Sequence, residues 1–225
     1  MTLKIHYKNQ NTNHPNFCSR NKIIQEADRI VRHVNNCYPR ISTSLIEDFP
    51  SIKKERFFNL LNRLYQKLHS LREKSYINLQ NVYYFNKTDI LKNYPNIIKR
   101  LKCGNCRESA ELTLLFAKMN GIENAQIRHL QTRRGKDLDH AVVYVSGKKP
   151  YIMDAWLGFA DFVPNTIERY KKEFSKHFDK RMLKSKKFIF ANPNSPTSQW
   201  LNELAESKNI INNLKLNFPE WQIKK

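Results

Sequence analysis

Cys103-Gly-Asn-Cys-Arg-Glu-Ser-Ala-Glu-Leu-Thr-Leu-Leu-Phe-Ala-Lys-Met119, closed by Asn120-Gly121, is the stretch from which the remainder of this chain is best read. Between Lys102 and Ile122 small and polar residues give way to a helix-forming run, and Asn-Gly supplies its C-terminal stop. Cys106 therefore stands at a helix N-terminus. There a thiol meets the positive end of the macrodipole and backbone N–H groups that the helix cannot bond, which favours the thiolate. The same N–H groups, that of Cys106 included, are donors for an oxyanion formed when sulfur attacks a carbonyl.

Three strand-like runs follow, Ala125 to Gln131, His140 to Val145 and Tyr151 to Trp156, separated by Arg-Arg-Gly-Lys-Asp and Ser-Gly-Lys-Lys-Pro; they read as antiparallel hairpins. Two polar residues interrupt these apolar strands. His140 opens Ala-Val-Val-Tyr-Val, and Asp154 lies inside Tyr-Ile-Met-Asp-Ala-Trp, where a carboxylate needs a partner. An odd loop of three or five residues centred near Gly147 or Lys148 puts His140 and Asp154 on one sheet face, and an even loop separates them. In the favourable register Asp154 holds the imidazole by one nitrogen while the other faces the sulfur, the logic of nucleophile, base and orienting group. Asp139 is the rival acid, but on an extended strand it points away from the face of His140 and reads as a turn or surface group. Trp156 and Gly158 are placed to shape a substrate cleft, although a Trp after a strand is more often core, and Glu108 reads as a first-turn acid that complements the dipole.

Gly-Asn-Cys-Arg-Glu-Ser-Ala at 104 to 110, Asp-His-Ala-Val-Val at 139 to 143 and Met-Asp-Ala-Trp-Leu-Gly at 153 to 158 resemble, in order and setting, the Cys, His and Asp motifs of the papain-like and transglutaminase-like superfamily. The resemblance covers roughly residues 100 to 160. It implies an α+β core with a nucleophile helix packed on an antiparallel sheet, and Cys106 as nucleophile, His140 as general base and Asp154 as orienting acid. It further implies thiol acyl transfer on protein amide bonds without metal or organic cofactor, by proteolysis, glutamine deamidation or transglutamination. The set is similar to that of bacterial effector enzymes acting in a host cell. The second oxyanion donor of such enzymes has no diagnostic counterpart here; Asn105 is the candidate, with Asn81 and Gln80 as further positions.

Outward from this centre, the chain reads as one domain: a helical N-terminal lobe at 1–100, the catalytic core at 101–160 and a helical C-terminal extension at 161–225. Ile23, Ile24, Ala27, Ile30, Val31 and Val34 recur at helical spacing from Lys22 to about Val34, with Asn21 as cap. A longer helix capped by Ser51 carries Phe57, Leu60, Leu61, Leu64, Leu68 and Leu71 on one stripe, and Tyr76 to Phe85 is rich in strand-forming residues. Beyond the core, Asn165 to Lys187 and Ser198 to Phe218 are helical in pattern, with a Pro193 and Pro196 loop between them. Tyr170, Phe174 and Phe178, spaced along a basic helix, read as core anchors.

Cys103 and Cys106 also form a Cys-x-x-Cys, which alone suggests a redox pair or half a zinc site. The downstream hairpins do not supply a thioredoxin-like context, and Cys18, Cys37, His14 and His33 have no spacing that completes a tetrahedral zinc site. Four cysteines in 225 residues argue for free thiols in a reducing compartment, a cytoplasm or a host cytosol. No run of about 18 apolar residues or Sec-type leader is present in the sequence. Forty Lys and Arg against twenty Asp and Glu give a formal charge of +20, which favours acidic proteins, nucleic acid or anionic membrane surface as partners, although no nucleic-acid motif accompanies it. The competing reading is a noncatalytic basic module that binds an acidic protein or nucleic acid.

Overall fold

The computed structural model describes residues 22–37, 66, 105–132, 137–174, 188–194 and 196–223. The expected helix from Ser51 to Leu71, apart from the helical Gln66, lies outside these residues, as do Tyr76 to Phe85, Cys18, Cys103, Gln80, Asn81 and the basic stretch 175–187.

The described chain is an α+β fold: a five-stranded antiparallel sheet packed against helices, with helical N- and C-terminal segments. Helices are α1 (Lys22–Cys37), α2 (Cys106–Met119), α3 (Val163–Phe174), α4 (Pro196–Ala205) and α5 (Lys208–Asn217). The strands β1 (Ala125–Thr132), β2 (Asp137–Val145), β3 (Tyr151–Asp154), β4 (Phe159–Phe162) and β5 (Phe188–Ala191) are ordered β4-β3-β2-β1-β5.

Alternation along the strands divides the interior in two. Ile127, Ala141, Val143, Val145 and Met153 face a core shared with Ile30 and Val34 of α1, Leu112 and Phe116 of α2, Leu201 of α4 and Leu214 of α5. Leu130, Val142, Ile152 and Phe159 face the opposite side, where Tyr170 of α3 covers them. α2 is the centre of the larger core, with every residue from Glu108 to Met119 buried, and this explains why its leucines surround the helix instead of forming one stripe.

Helix α2 ends as its sequence directs. Gly121 takes φ +85°, Ile122 N–H bonds the Ala117 carbonyl at 2.9 Å and Gly121 N–H the Lys118 carbonyl at 3.1 Å, a Schellman stop. The reversal sends β1 back along α2. A 14-residue helix advances about 21 Å, and the residues from Ala125 to Leu130 advance about 20 Å. The start of α2 thus comes level with Leu130, whose register partner is His140.

Three expectations outside the core need correction. Phe188–Ala191, read as part of a loop, is β5, which pairs with His129 to Thr132 and closes one side of the sheet. Pro196 is not in the loop but opens α4, where its missing N–H costs nothing. The helix expected from Ser198 to Phe218 is two helices, interrupted at Glu206-Ser207, with Ser207 as N-cap of α5. Where β5 stops, α4 completes the polar accounting of β1: Asn202 accepts Ile127 N–H at 2.7 Å and donates to Ile127 carbonyl at 3.1 Å.

Among the described residues no helix is long and apolar enough to cross a membrane.

Candidate active site

Cys106 is the first residue of α2, half-buried and a free thiol. Asn105 is the N-cap in a capping box with Glu108. The buried Glu108 carboxylate accepts the Asn105 N–H at 2.8 Å, while the Asn105 carbonyl takes the N–H and hydroxyl of Ser109 at 3.1 and 2.9 Å. Both residues thereby hold the helix start in shape. Glu108 is the first-turn acid that the sequence indicated. The backbone N–H of Asn105 is spent on this cap and is not a donor for an oxyanion.

Strand β2 meets the sulfur through an irregularity. Leu130 pairs with His140, yet the next residue, Gln131, pairs with Asp137, so Leu138 and Asp139 are carried as a bulge. Asp139 adopts φ +50°, a left-handed conformation that Asp tolerates better than most side chains. The side chain of Asp139 is exposed, as expected, and its backbone carbonyl accepts from Cys106 Sγ at 3.5 Å. The bulge therefore ties the beginning of β2 to the beginning of α2.

The β2–β3 turn has the odd length that the alternation requires. Val145 pairs with Tyr151 across residues 146–150, and the register continues through Tyr144 with Ile152 and Val143 with Met153. Carried one residue further, it sets Asp154 across from Val142, with His140 as its diagonal neighbour on the same face. His140 Nε2 lies 2.6 Å from Asp154 Oδ2, and both side chains are buried. Asp154 is satisfied on its other oxygen too: Oδ1 accepts Leu157 N–H at 2.9 Å across the 155–158 turn, which Gly158 closes at φ +75°.

With Nε2 engaged by Asp154, the imidazole nitrogen left for Cys106 is Nδ1. Burial alone drives a histidine toward the neutral form. Here the Asp154 charge and hydrogen bond, joined by a hydrogen bond and charge interaction with Cys106, outweigh it and push His140 up to about 10. The pair is thus arranged to keep an imidazolium between a carboxylate and a sulfur.

Two aromatic residues of the site escaped the sequence reading in part. Trp156 is not core: it is half-buried in the turn after β3, its ring tilted against His140 at 5.3 Å between centroids. β3 ends at Asp154, short of the expected Trp156, because the turn begins there. Tyr170 is core, as read, but its hydroxyl also donates to Asp154 Oδ2 at 3.0 Å. Only the 3.6-residue placement of Tyr170 on α3 was visible in sequence, and nothing there indicates which strand that helix face covers. His33, weighed as a zinc ligand, instead bonds the Glu220 carbonyl at 3.0 Å and packs on Phe116.

What the arrangement can do chemically is set a nucleophilic sulfur beside a proton donor. Among the described residues, no group of three or more His, Cys, Asp or Glu side chains converges as a metal-ligand set. Comparisons with protein-family models, curated proteins and solved structures return no match to this chain.

Proposed function

We propose that this chain is a thiol-dependent amide hydrolase or acyl transferase of the papain-like or transglutaminase-like kind, acting on protein amide bonds. The observation that carries the reading is the convergence of Cys106, His140 and Asp154, three polar residues from three elements, through one short imidazole–carboxylate contact and one thiol at a helix start. A helix that delivers a cysteine to the adjacent strands bearing His and Asp, in the chain order Cys, His, Asp, supports the family reading as well.

In this scheme the Cys106 thiolate attacks the amide carbon, and the oxyanion takes the Cys106 N–H, which has no acceptor within the helix. Collapse of the tetrahedral species expels the amine with the proton that His140 held, leaving a thioester on Cys106. His140, now neutral, takes a proton from water or an acceptor amine as it attacks the thioester, and collapse of that adduct releases the acid or the new amide and regenerates the Cys106 thiolate beside the imidazolium. Asp154 keeps Nε2 protonated and the ring aimed throughout. A formal charge of +20 favours acidic proteins as substrates.

The test is alkylation by an iodoacetamide probe across pH, read by intact mass, on wild type, Cys106→Ala and His140→Ala. One fast label near neutral pH, lost in Cys106→Ala and slowed at least tenfold in His140→Ala, is expected, and justifies a screen of glutamine-containing proteins. Slow labelling that is the same in wild type and His140→Ala overturns the proposal and leaves a basic binding module.

A further inference from the structure

Asp154 Oδ2 receives two donors at once, the imidazole Nε2 at 2.6 Å and the Tyr170 hydroxyl at 3.0 Å. The phenol is wholly buried, and its ring meets His140 edge-on at 5.7 Å and Phe159 at 5.6 Å. It comes from α3, an element that contributes nothing else to the triad. A buried tyrosine satisfies its hydroxyl with any nearby carbonyl; here it is spent on the oxygen that holds the imidazolium proton.

Resting on the thiol-enzyme reading above, we infer that Tyr170 is a positioning residue that sets how strongly Asp154 supports the protonated form of His140. A second donor on one carboxylate oxygen draws charge from it, so the bond to Nε2–H weakens, the imidazolium is supported less, and the proton on its other nitrogen, Nδ1, passes more readily to a leaving amine. The hydroxyl keeps this role over the working range. Burial first, and then the Asp154 charge, push the phenol well above its ordinary pKa, with Arg169 opposing weakly, so it remains a donor. The titratable groups that meet the imidazole are Cys106 from α2, Asp154 from β3 and Tyr170 from α3, while Asp139, its neighbour on β2, is exposed and Arg169 of α3 acts on the phenol. The Arg169 guanidinium lies over the Phe159 ring at 3.8 Å.

The experiment is the pH profile of iodoacetamide alkylation for wild type, Tyr170→Phe, Asp154→Asn and the double variant, each checked by circular dichroism. As His140 deprotonates and frees the thiolate, the rate shows an alkaline transition. Tyr170→Phe keeps the ring and is expected to move that transition upward by about half a unit to one unit. In the Asp154→Asn background the same substitution is expected to move nothing, since the charge it acts through is gone. An alkaline transition unmoved in folded Tyr170→Phe, or moved equally in both backgrounds, overturns the role. If Tyr170→Phe does not fold, 3-fluorotyrosine at position 170, a stronger donor of nearly the same shape, must lower the transition; an unmoved transition overturns the role there too. A wild type without any His140-dependent transition sinks the parent proposal instead, so the two failures are distinct.

Discussion

His140 and Asp154 lie fourteen residues apart in the chain and 2.6 Å apart between Nε2 and Oδ2, because a five-residue reversal makes them diagonal neighbours on one face of a hairpin. The contact gathers charge that each residue could not carry alone. A buried histidine would be neutral and a buried aspartate costly, whereas together they retain a proton between them.

Removing the carboxylate charge separates geometry from electrostatics. Asp154→Asn retains an acceptor for Leu157 N–H but not the anion that supports the imidazolium. We expect labelling of Cys106 near pH 7 to slow by roughly tenfold to a hundredfold, with a stability loss of about 1–3 kcal/mol in urea titration. Unchanged labelling would show that Asp154 serves packing alone.

Stability should depend on pH with a defined sign. His140 is raised from an ordinary 6.5 to about 10 on folding, so the folded state binds a proton that the unfolded state releases between those values. The contribution is fully present below about pH 6.5 and is lost as pH climbs toward 10, on the order of a few kcal/mol at most. Thermal midpoints measured from pH 6 to 10 are expected to fall over that window in wild type and to fall less in His140→Gln. Parallel curves for the two proteins would contradict the assignment.

Asp139 is a backbone test. At φ +50° a β-branched residue is strained, whereas Gly and Asn accept the conformation. Asp139→Val is expected to cost about 1–3 kcal/mol and to slow Cys106 labelling by shifting the adjacent His140 relative to Sγ. Asp139→Asn should leave both nearly unchanged. If Asp139→Asn is as damaging as Asp139→Val, the side chain and not the bulge carries the effect.

Asn202 should matter for stability and not for the site. Its amide bonds both the N–H and the carbonyl of fully buried Ile127. Asn202→Ala leaves two backbone groups without those partners and is expected to cost about 2–4 kcal/mol, read by chemical denaturation. The pH profile of Cys106 alkylation is expected to keep its shape in the folded fraction.

The local elements of the site were legible because they depend on short-range chemistry. The run from Cys106 to Met119 with its Asn120-Gly121 stop and the apolar strands around His140 and Asp154 follow from period and turn residues, whereas the odd length of the turn between them is fixed by the register of β2 on β3. The α1 stripe, Ile24, Ala27, Ile30, Val31 and Val34, is buried as its spacing required. Segments whose structure depends on a partner were not legible. β5 is only four residues, Phe188–Ala191, too short to show an alternation, and becomes a strand because β1 offers it an edge. Ser198 to Phe218 carries an unbroken helical pattern, and the break at Ser207 comes with two helices that each pack on the core.

By itself, then, the order of residues determined which side chains are costly to bury, Cys106 apart: His140 and Asp154 on apolar strands, to be brought onto one face only by an odd turn. Tertiary structure decided what answers that cost. The near-equal reach of α2 and of β1 as far as Leu130 brings the sulfur level with His140, the bulge at Asp139 turns a carbonyl toward it, and α3 brings the Tyr170 hydroxyl to Asp154. A sequence records periodicity along one chain direction, while these contacts depend on the distance between elements that packing alone establishes.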